Sequence, residues 1–325
     1  MRIDLPVVGE WNKVSEKFRE KLPFQDPLVL VQAYMGYQHA LHESTLGVAR
    51  LFSHKKTIAI VENAEPALQE IAVGFSEEGY TVKTLKAADL ANGAEWLAPI
   101  QNELLLVLFS QDDPITGRRY DGSPIDQLLK DKRIFRVSVS HTVHEFEPIK
   151  RPELFEIRIL SLTPGFSLLV AGERYRVPPV IAPRLPWAHV DLTEPLSKVG
   201  SIRDSEKHKQ AVLNFESALP QGFTPFFAQG DLRIFDRAVI VNEGMDGSAV
   251  IEHLGPIANY PAAALDTSSP CRWNNTKYID WLISRGEKPE TVRGLVVIAA
   301  EALTEKTPEQ LAAAAVKITQ LQEGI

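Results

Sequence analysis

Short apolar runs alternate with amphipathic segments between residues 57 and 173. Six runs rich in valine, isoleucine and leucine predict strands, at 57–63, 80–85, 102–111, 134–140, 155–162 and 167–173. Between them, PALQEIAVGFSEEG (66–79) has apolar residues at helical spacing and ends at Gly79, and IDQLLKDK predicts a further helix. Strands that alternate with helices predict a mostly parallel sheet covered by helices on both faces.

The flanking segments follow other patterns. Trp11, Val14 and Phe18 are at helical spacing in an N-terminal arm (1–27), and the whole of 28–52 also predicts helix. A large domain would then cover 28–203, with VPPVIAPRLP as its exit. A smaller α+β domain would cover 204–325, with a helix at 203–218, the strands RAVIVNE and GLVVIAAEAL, and a closing helix from Pro308.

Composition narrows the class of protein. The 325 residues are 44% hydrophobic and 24% charged, with a net charge of -7, as in an ordinary globular chain. No apolar run approaches the roughly 20 residues of a membrane span, no apolar segment typical of a secretion signal opens the chain, and Cys271 is the only cysteine. We therefore expect a cytoplasmic protein that has no membrane or nucleic-acid partner. Three short basic clusters, Lys55–Lys56, Arg118–Arg119 and Lys130–Arg133, are interpreted as solvated faces.

Three local motifs and the order of elements resemble fold-type I PLP-dependent aminotransferases of class I/II. DDPITGRRYD (112–121) resembles the D-N-P-T-G-x-x-Y turn with one extra residue. VSVSHTVHEF (137–146) stands where that family has V-D-E-A-Y, and SLTPGFSLLVAGERY (161–175) matches S-x-S-K-x-x-G-L-x-G-x-R. The resemblance implies a PLP-transferase-like three-layer α/β/α large domain with a smaller α+β domain. It also implies a two-fold homodimer, because the family builds its sites at a subunit interface.

At most of the matched positions the residue type differs from the one PLP chemistry requires. The resemblance places Phe166 at the Schiff-base lysine, Ser140 at the acid that pairs with the ring nitrogen, and Asp113 at the asparagine. Val143 replaces the tyrosine, Glu65 the stacking aromatic and Ala40 the phosphate-loop glycine. Two phosphate contacts, Thr163 and Arg174, are retained, and Arg293 stands at the arginine that binds the substrate carboxylate.

The sequence therefore predicts a pseudo-aminotransferase without a cofactor, acting as a scaffold, a regulatory subunit or a small-ligand binder. Arg174 favours a small anionic ligand, or else forms a structural ion pair. Two alternatives stay open. One is an enzyme that still binds PLP through another lysine. The other uses cofactor-free or metal-based chemistry at Glu65, Asp113 and His141, where His144 and Glu145 add candidate metal ligands, although solvated loop histidines are the favoured interpretation.

Overall fold

The computed structural model describes residues 8–22, 29–34, 36–86, 89, 92–141, 152–163, 166–173, 205–258, 265–266 and 276–324. Val143, His144, Glu145, Arg174 and the segment VPPVIAPRLP lie outside these ranges. The chain divides into two compact units, the first formed by 1–112 and 120–203 and the second by 113–119 and 204–325.

A seven-stranded sheet forms the centre of the first unit. Its strands are β1 (Leu30–Tyr34), β2 (Thr57–Val61), β3 (Thr81–Leu85), β4 (Leu104–Ser110), β5 (Phe135–Ser140), β6 (Glu156–Thr163) and β7 (Phe166–Ala171). They are arranged in the order β1-β7-β6-β5-β4-β2-β3. The five strands β2 to β6 are parallel, and β7 is antiparallel to both of its neighbours, β1 and β6. This confirms the predicted mostly parallel sheet.

Helices cover both faces of this sheet, because alternate residues of each buried strand point to opposite sides. On one face, α2 (Tyr37–Leu51) and α3 (Pro66–Glu77) enclose a core that includes Ile58 and Leu106. On the other face, α4 (Gly93–Leu97) and α5 (Ser123–Leu129) pack on Ala59 and Phe109. The first helix, α1 (Val8–Lys21), packs beside β1. The predicted three layers are therefore present.

The predicted helix over 28–52 is wrong in its first part. Residues Leu30–Tyr34 form β1, which pairs with β7 from Leu30↔Ala171 to Tyr34↔Ser167. The helix begins only at Tyr37, after Gly36 turns the chain with φ of 72°. Ser44 and Thr45 lie inside α2, where both hydroxyls donate to the Leu41 carbonyl. Strand pairing with a segment more than 130 residues away outweighed the local helical spacing.

The second unit is α+β, as the sequence predicts. Its four short strands are β8 (Thr224–Pro225), β9 (Arg237–Val241), β10 (Leu265–Asp266) and β11 (Leu295–Ala299), in the antiparallel order β10-β11-β9-β8. Its helices are α6 (Ser205–Ser217), α7 (Gly247–Ala258), α8 (Thr276–Ser284), α9 (Pro289–Arg293) and the closing α10 (Thr307–Glu323). Segment 113–119 joins this unit through an Arg118↔Arg233 bridge. No helix within the described ranges is long and apolar enough to cross a membrane.

Candidate functional site

Polar side chains gather where β2, β4 and β5 end. Because these strands are parallel and adjacent, their carboxyl ends share one edge of the sheet. We define the carboxyl-edge cluster as the residues that gather there: Tyr37, Glu65, Ser110, Asp112, Ser140 and His141. Tyr37 opens α2 and Glu65 directly precedes α3, so two helix starts and two strand ends build the cluster.

Glu65 and His141 form a buried pair. Glu65 Oε2 lies 2.8 Å from His141 Nε2, with side-chain exposures of 0% and 9%. The Glu65 N–H donates to Ser110 Oγ at 2.9 Å, which fixes the turn that leads into α3. Tyr37 lies edge-on to the imidazole, with 4.7 Å between ring centroids. Glu65 Oε1 is buried and has no hydrogen-bond partner among the described residues. The pair therefore retains one unused acceptor.

Asp112 holds the end of β5 and was missed by the sequence analysis. Ser140 Oγ donates to Asp112 Oδ2 at 2.7 Å, and the His141 N–H donates to Oδ1 at 2.8 Å. All of Asp112 except 3% is buried. A carboxylate therefore lies beside Ser140, the residue that stands at the acid position of the family. It comes from the segment after the neighbouring strand β4. The signal in the sequence that could have indicated Asp112 is the pair of acidic residues, Asp112 and Asp113, after β4.

Asp113 directs its carboxylate into its own turn. It accepts hydrogen bonds from the Ile115 and Thr116 N–H groups at 2.7 and 3.2 Å, and from Thr116 Oγ1 at 2.6 Å. Gly117, with φ of 75°, completes the turn. Asp113 belongs to the second unit and stabilises segment 113–119.

Phe166 lies in the hairpin between β6 and β7, where it pairs with Thr163. Leu169 contributes to the core beneath α2, so Phe166 points to the opposite face of the sheet. There it is 5% exposed, with its ring centroid 6.0 Å from that of Phe18 in α1. The aromatic ring at the predicted lysine position is therefore a packing residue.

The structure brings some of the predicted site residues together. Glu65 and Ser140 meet in the carboxyl-edge cluster through His141 and Asp112. Arg293 lies exposed at the end of α9 in the second unit. For Thr163 the strand position alone is described, and Val143 and Arg174 lie outside the described ranges. Within those ranges, no three histidine, cysteine or carboxylate side chains are placed to hold a metal ion.

The sheet order, the antiparallel β7 and the second α+β unit define a PLP-transferase-like α/β fold. No family model matches the chain, and no curated protein matches it in sequence. A NifS-like protein from Rickettsia africae ESF-5 is similar in structure, with a TM-score of 0.66 and 12% identity over 98% of this chain and 89% of that one. Ureidoglycine-glyoxylate aminotransferase from Bacillus subtilis has a TM-score of 0.62 and 12% identity, covering 98% of this chain and 86% of its own.

Alanine–glyoxylate aminotransferase from Nostoc sp. is similar over 94% of this chain and 85% of its own, with a TM-score of 0.60 and 13% identity. At such identities the similarity concerns the fold alone. The shared fold with aminotransferases and NifS-like proteins supports the resemblance seen in the sequence. The activity of this chain has to be argued from its own residues.

Proposed function

We propose that this chain is a pseudo-aminotransferase, which keeps the PLP-transferase-like fold without PLP chemistry and binds a small ligand at the carboxyl edge of its sheet. One observation carries the proposal. The β6–β7 hairpin, Thr163-Pro164-Gly165-Phe166, contains no lysine, and Phe166 is used for packing against Phe18. The same observation also fits a scaffold or regulatory role in a larger assembly.

The described residues do not fit PLP. Bound PLP supplies an electron sink, and it needs an amine for the Schiff base and an acid at its ring nitrogen. The residues that directly follow β2, β4 and β5 are Glu62, Gln111 and His141, none of which offers an amine. Asp112 is already bonded to Ser140 and His141. The buried Glu65 carboxylate would repel an anionic cofactor.

The unused acceptor at Glu65 supports a ligand of a particular kind. A buried carboxylate oxygen without a hydrogen-bond donor costs free energy. Glu65 Oε1 is in this state among the described residues. A small molecule with an ammonium, amide N–H or hydroxyl group would supply the donor. The expectation of an anionic ligand, based on Arg174, remains a separate proposal.

Titration with PLP tests the proposal. The purified protein is mixed with PLP, reduced with borohydride and mapped by mass spectrometry. We expect no pyridoxyl adduct at the carboxyl edge. Exposed lysines should show only scattered labelling, and a lysine-blocking reagent should remove it to the same extent at each of them. Stoichiometric labelling of one lysine, with the absorption band of an internal Schiff base, would show that the chain is a working PLP protein.

A second candidate function is cofactor-free acid–base catalysis. The observation in its favour is the 2.8 Å contact between Glu65 and His141, because a carboxylate that orients an imidazole is a recurrent general-base arrangement. A screen of ester, amide and amino-acid turnover would compare Glu65→Gln and His141→Asn with His42→Asn, which changes an exposed histidine of α2. Turnover lost in the first two variants and kept in the third would favour this candidate over ligand binding alone.

We also propose a two-fold homodimer, which the resemblance implies. Sedimentation equilibrium at micromolar concentration tests it. Twice the chain mass of 36.2 kDa is expected, and a single 36.2 kDa particle would refute the dimer.

A further inference from the structure

The opposite edge of the same sheet carries a second, open site. The segments that enter β2, β4, β5 and β6 meet at the amino ends of these strands, and Glu173, two residues after antiparallel β7, joins them. Together they line a groove of about 1640 Å³, which we call the amino-edge groove. β4 has seven residues, so a strand length of about 20 Å separates this groove from the carboxyl-edge cluster.

Two of the three basic clusters in the sequence converge at this groove. Lys55 Nζ donates to the Leu104 carbonyl and to the Arg133 carbonyl, both at 3.0 Å. This contact joins the turn before β2 to the turn before β5, which carries Lys130, Lys132 and Arg133. Burial lowers the pKa of Lys55, as expected for an ammonium enclosed between two strands. Lys55 and the Lys130–Arg133 cluster therefore lie on one concave surface.

Most of this positive charge is available to a ligand. Lys130, Lys132 and Arg133 form no ion pair with another described residue, and Lys130 and Arg133 are exposed. Arg136 is different, because its guanidinium is held by Asp126 and Glu153 at 2.7 Å each. The lining has five basic side chains against three acidic ones, in a chain whose net charge is -7. Such a local excess attracts anions.

Aromatic rings form the floor of the groove. Phe135 is buried between Phe52 and Phe155, with ring centroids 5.5 and 5.3 Å away. Phe52 and Phe155 are partly exposed and line the groove. Rings of this kind stack on the faces of nucleobases.

We propose that the amino-edge groove binds a nucleotide. Its base stacks on Phe52 or Phe155, and its phosphates lie against Lys130, Lys132 and Arg133. The groove exceeds the roughly 300–1,000 Å³ of ordinary small-molecule pockets, so a nucleoside triphosphate fits within it. A long polyanion such as nucleic acid is disfavoured, because the rest of the chain is acidic. This site is separate from the proposed carboxyl-edge ligand site, and either can fail without the other.

Calorimetric titration with ATP, in the absence of divalent cations, tests the proposal. We expect saturable binding of one ATP per chain that weakens with added salt. The double variant Lys130→Glu with Arg133→Glu should weaken binding about tenfold or more, since two phosphate contacts become repulsive. The matched control, Lys83→Glu with Lys86→Glu, makes the same charge change at exposed positions on and just after β3 and should bind as the original chain does.

A second pair of measurements tests the aromatic floor. Phe52→Leu and, separately, Phe155→Leu should weaken ATP binding and leave inorganic tripolyphosphate binding unchanged. Thermal unfolding identifies any variant that does not fold. The proposal is overturned if ATP does not bind saturably, or if both double variants lose binding equally. It is also overturned if tripolyphosphate binds as tightly as ATP, or if a poly-glutamate peptide binds more tightly than ATP.

Discussion

The two edges of the central sheet differ in how their charged groups are used. At the carboxyl edge, Glu65 and Asp112 are buried, and Asp112 is bonded to Ser140 and His141. At the amino edge, Lys130 and Arg133 are exposed beside partly exposed rings. In this fold the first edge is expected to hold the chemistry. Here Asp112 and Glu65 are held by contacts with Ser140 and His141, whereas Lys130 and Arg133 at the other edge form no ion pair with another described residue.

The difference indicates that the topology of the sheet and the chemistry of its edges depend on different residues. The sheet core depends on the apolar residues of the strands, which are buried on both faces in β2, β4 and β5. The residues just beyond each strand contribute little to that core, so they can change without loss of the fold. Substitutions at Asp112, Gly172, Lys55 and Asp126, each with a control, test whether the two edges differ in this way.

The largest effect is expected at Asp112. Asp112→Ala removes the acceptor of the buried Ser140 Oγ and of the partly buried His141 N–H, so the free energy of unfolding should fall by about 4 kcal/mol. The free energy of unfolding of Asp112→Asn should lie between that of Asp112→Ala and that of the original chain. Urea unfolding followed by circular dichroism measures both. The control at the other edge, Asp131→Asn, should change the free energy by less than about 0.5 kcal/mol; equal losses at the two edges would remove the contrast between them.

The next effect is expected at Gly172, which follows β7. A Cβ at this position would overlap the carbonyl oxygen of Glu153, a residue that lines the amino-edge groove. Gly172→Ala should therefore cost about 3 kcal/mol of unfolding free energy and displace the segment before β6. Gly74→Ala in α3 is the matched control. Its Cβ meets nothing within 4 Å, so we expect a gain of about 0.5–1 kcal/mol. If Gly172→Ala leaves the free energy of unfolding unchanged, the segment that carries Glu153 can move without cost and does not form a rigid wall of the groove.

A smaller effect is expected at Lys55. Lys55→Met keeps the aliphatic stem but removes the hydrogen bonds to the Leu104 carbonyl of β4 and to the Arg133 carbonyl of the second basic turn, at a cost of about 1–2 kcal/mol. Lys56→Met is the neighbouring control, where only an exposed ammonium above the Tyr80 ring is lost, at about 0.5 kcal/mol. If the two losses are equal in thermal and urea unfolding, Lys55 does not organise the groove.

The smallest effect depends on pH. Burial raises the pKa of the Asp126 carboxyl above 3.8, although the Arg136 guanidinium opposes this shift. A carboxyl with a raised folded-state pKa stabilises the fold below its unfolded pKa, and this contribution is lost as pH rises through the folded pKa. Unfolding free energies of the original chain, relative to Asp126→Asn, should therefore decline from about pH 4 upwards, by less than about 0.5 kcal/mol because Asp126 is half exposed.

Asp121 provides the control of opposite sign. Hydrogen bonds from Ser123 lower the pKa of its carboxyl below 3.8. Its contribution is present above the unfolded pKa and is lost as pH falls through the folded pKa. Asp121→Asn should therefore give a pH slope opposite to that of Asp126→Asn. Two slopes of the same sign would contradict the assignment for one of the carboxyls.

Much of the fold was predictable from local pattern, but less of the site was. The apolar runs at 57–63, 102–111 and 134–140 correspond to β2, β4 and β5, because buried parallel strands need such runs on both faces. The first strand was predicted as helix, since its partner β7 is distant in sequence. Asp112 was missed because its two donors come from β5, the next strand of the sheet.

Local sequence pattern was enough to predict the alternation of strands and helices, the small α+β unit and the absence of lysine from the β6–β7 hairpin. These depend on residue type and local spacing alone. The contacts of Glu65 with His141, 76 residues away, and of Lys55 with Arg133, 78 residues away, depend on how the chain folds. The physical reason is that hydrogen bonds and charge contacts act over a few ångströms, and only the pairing of parallel strands brings such distant side chains within that range.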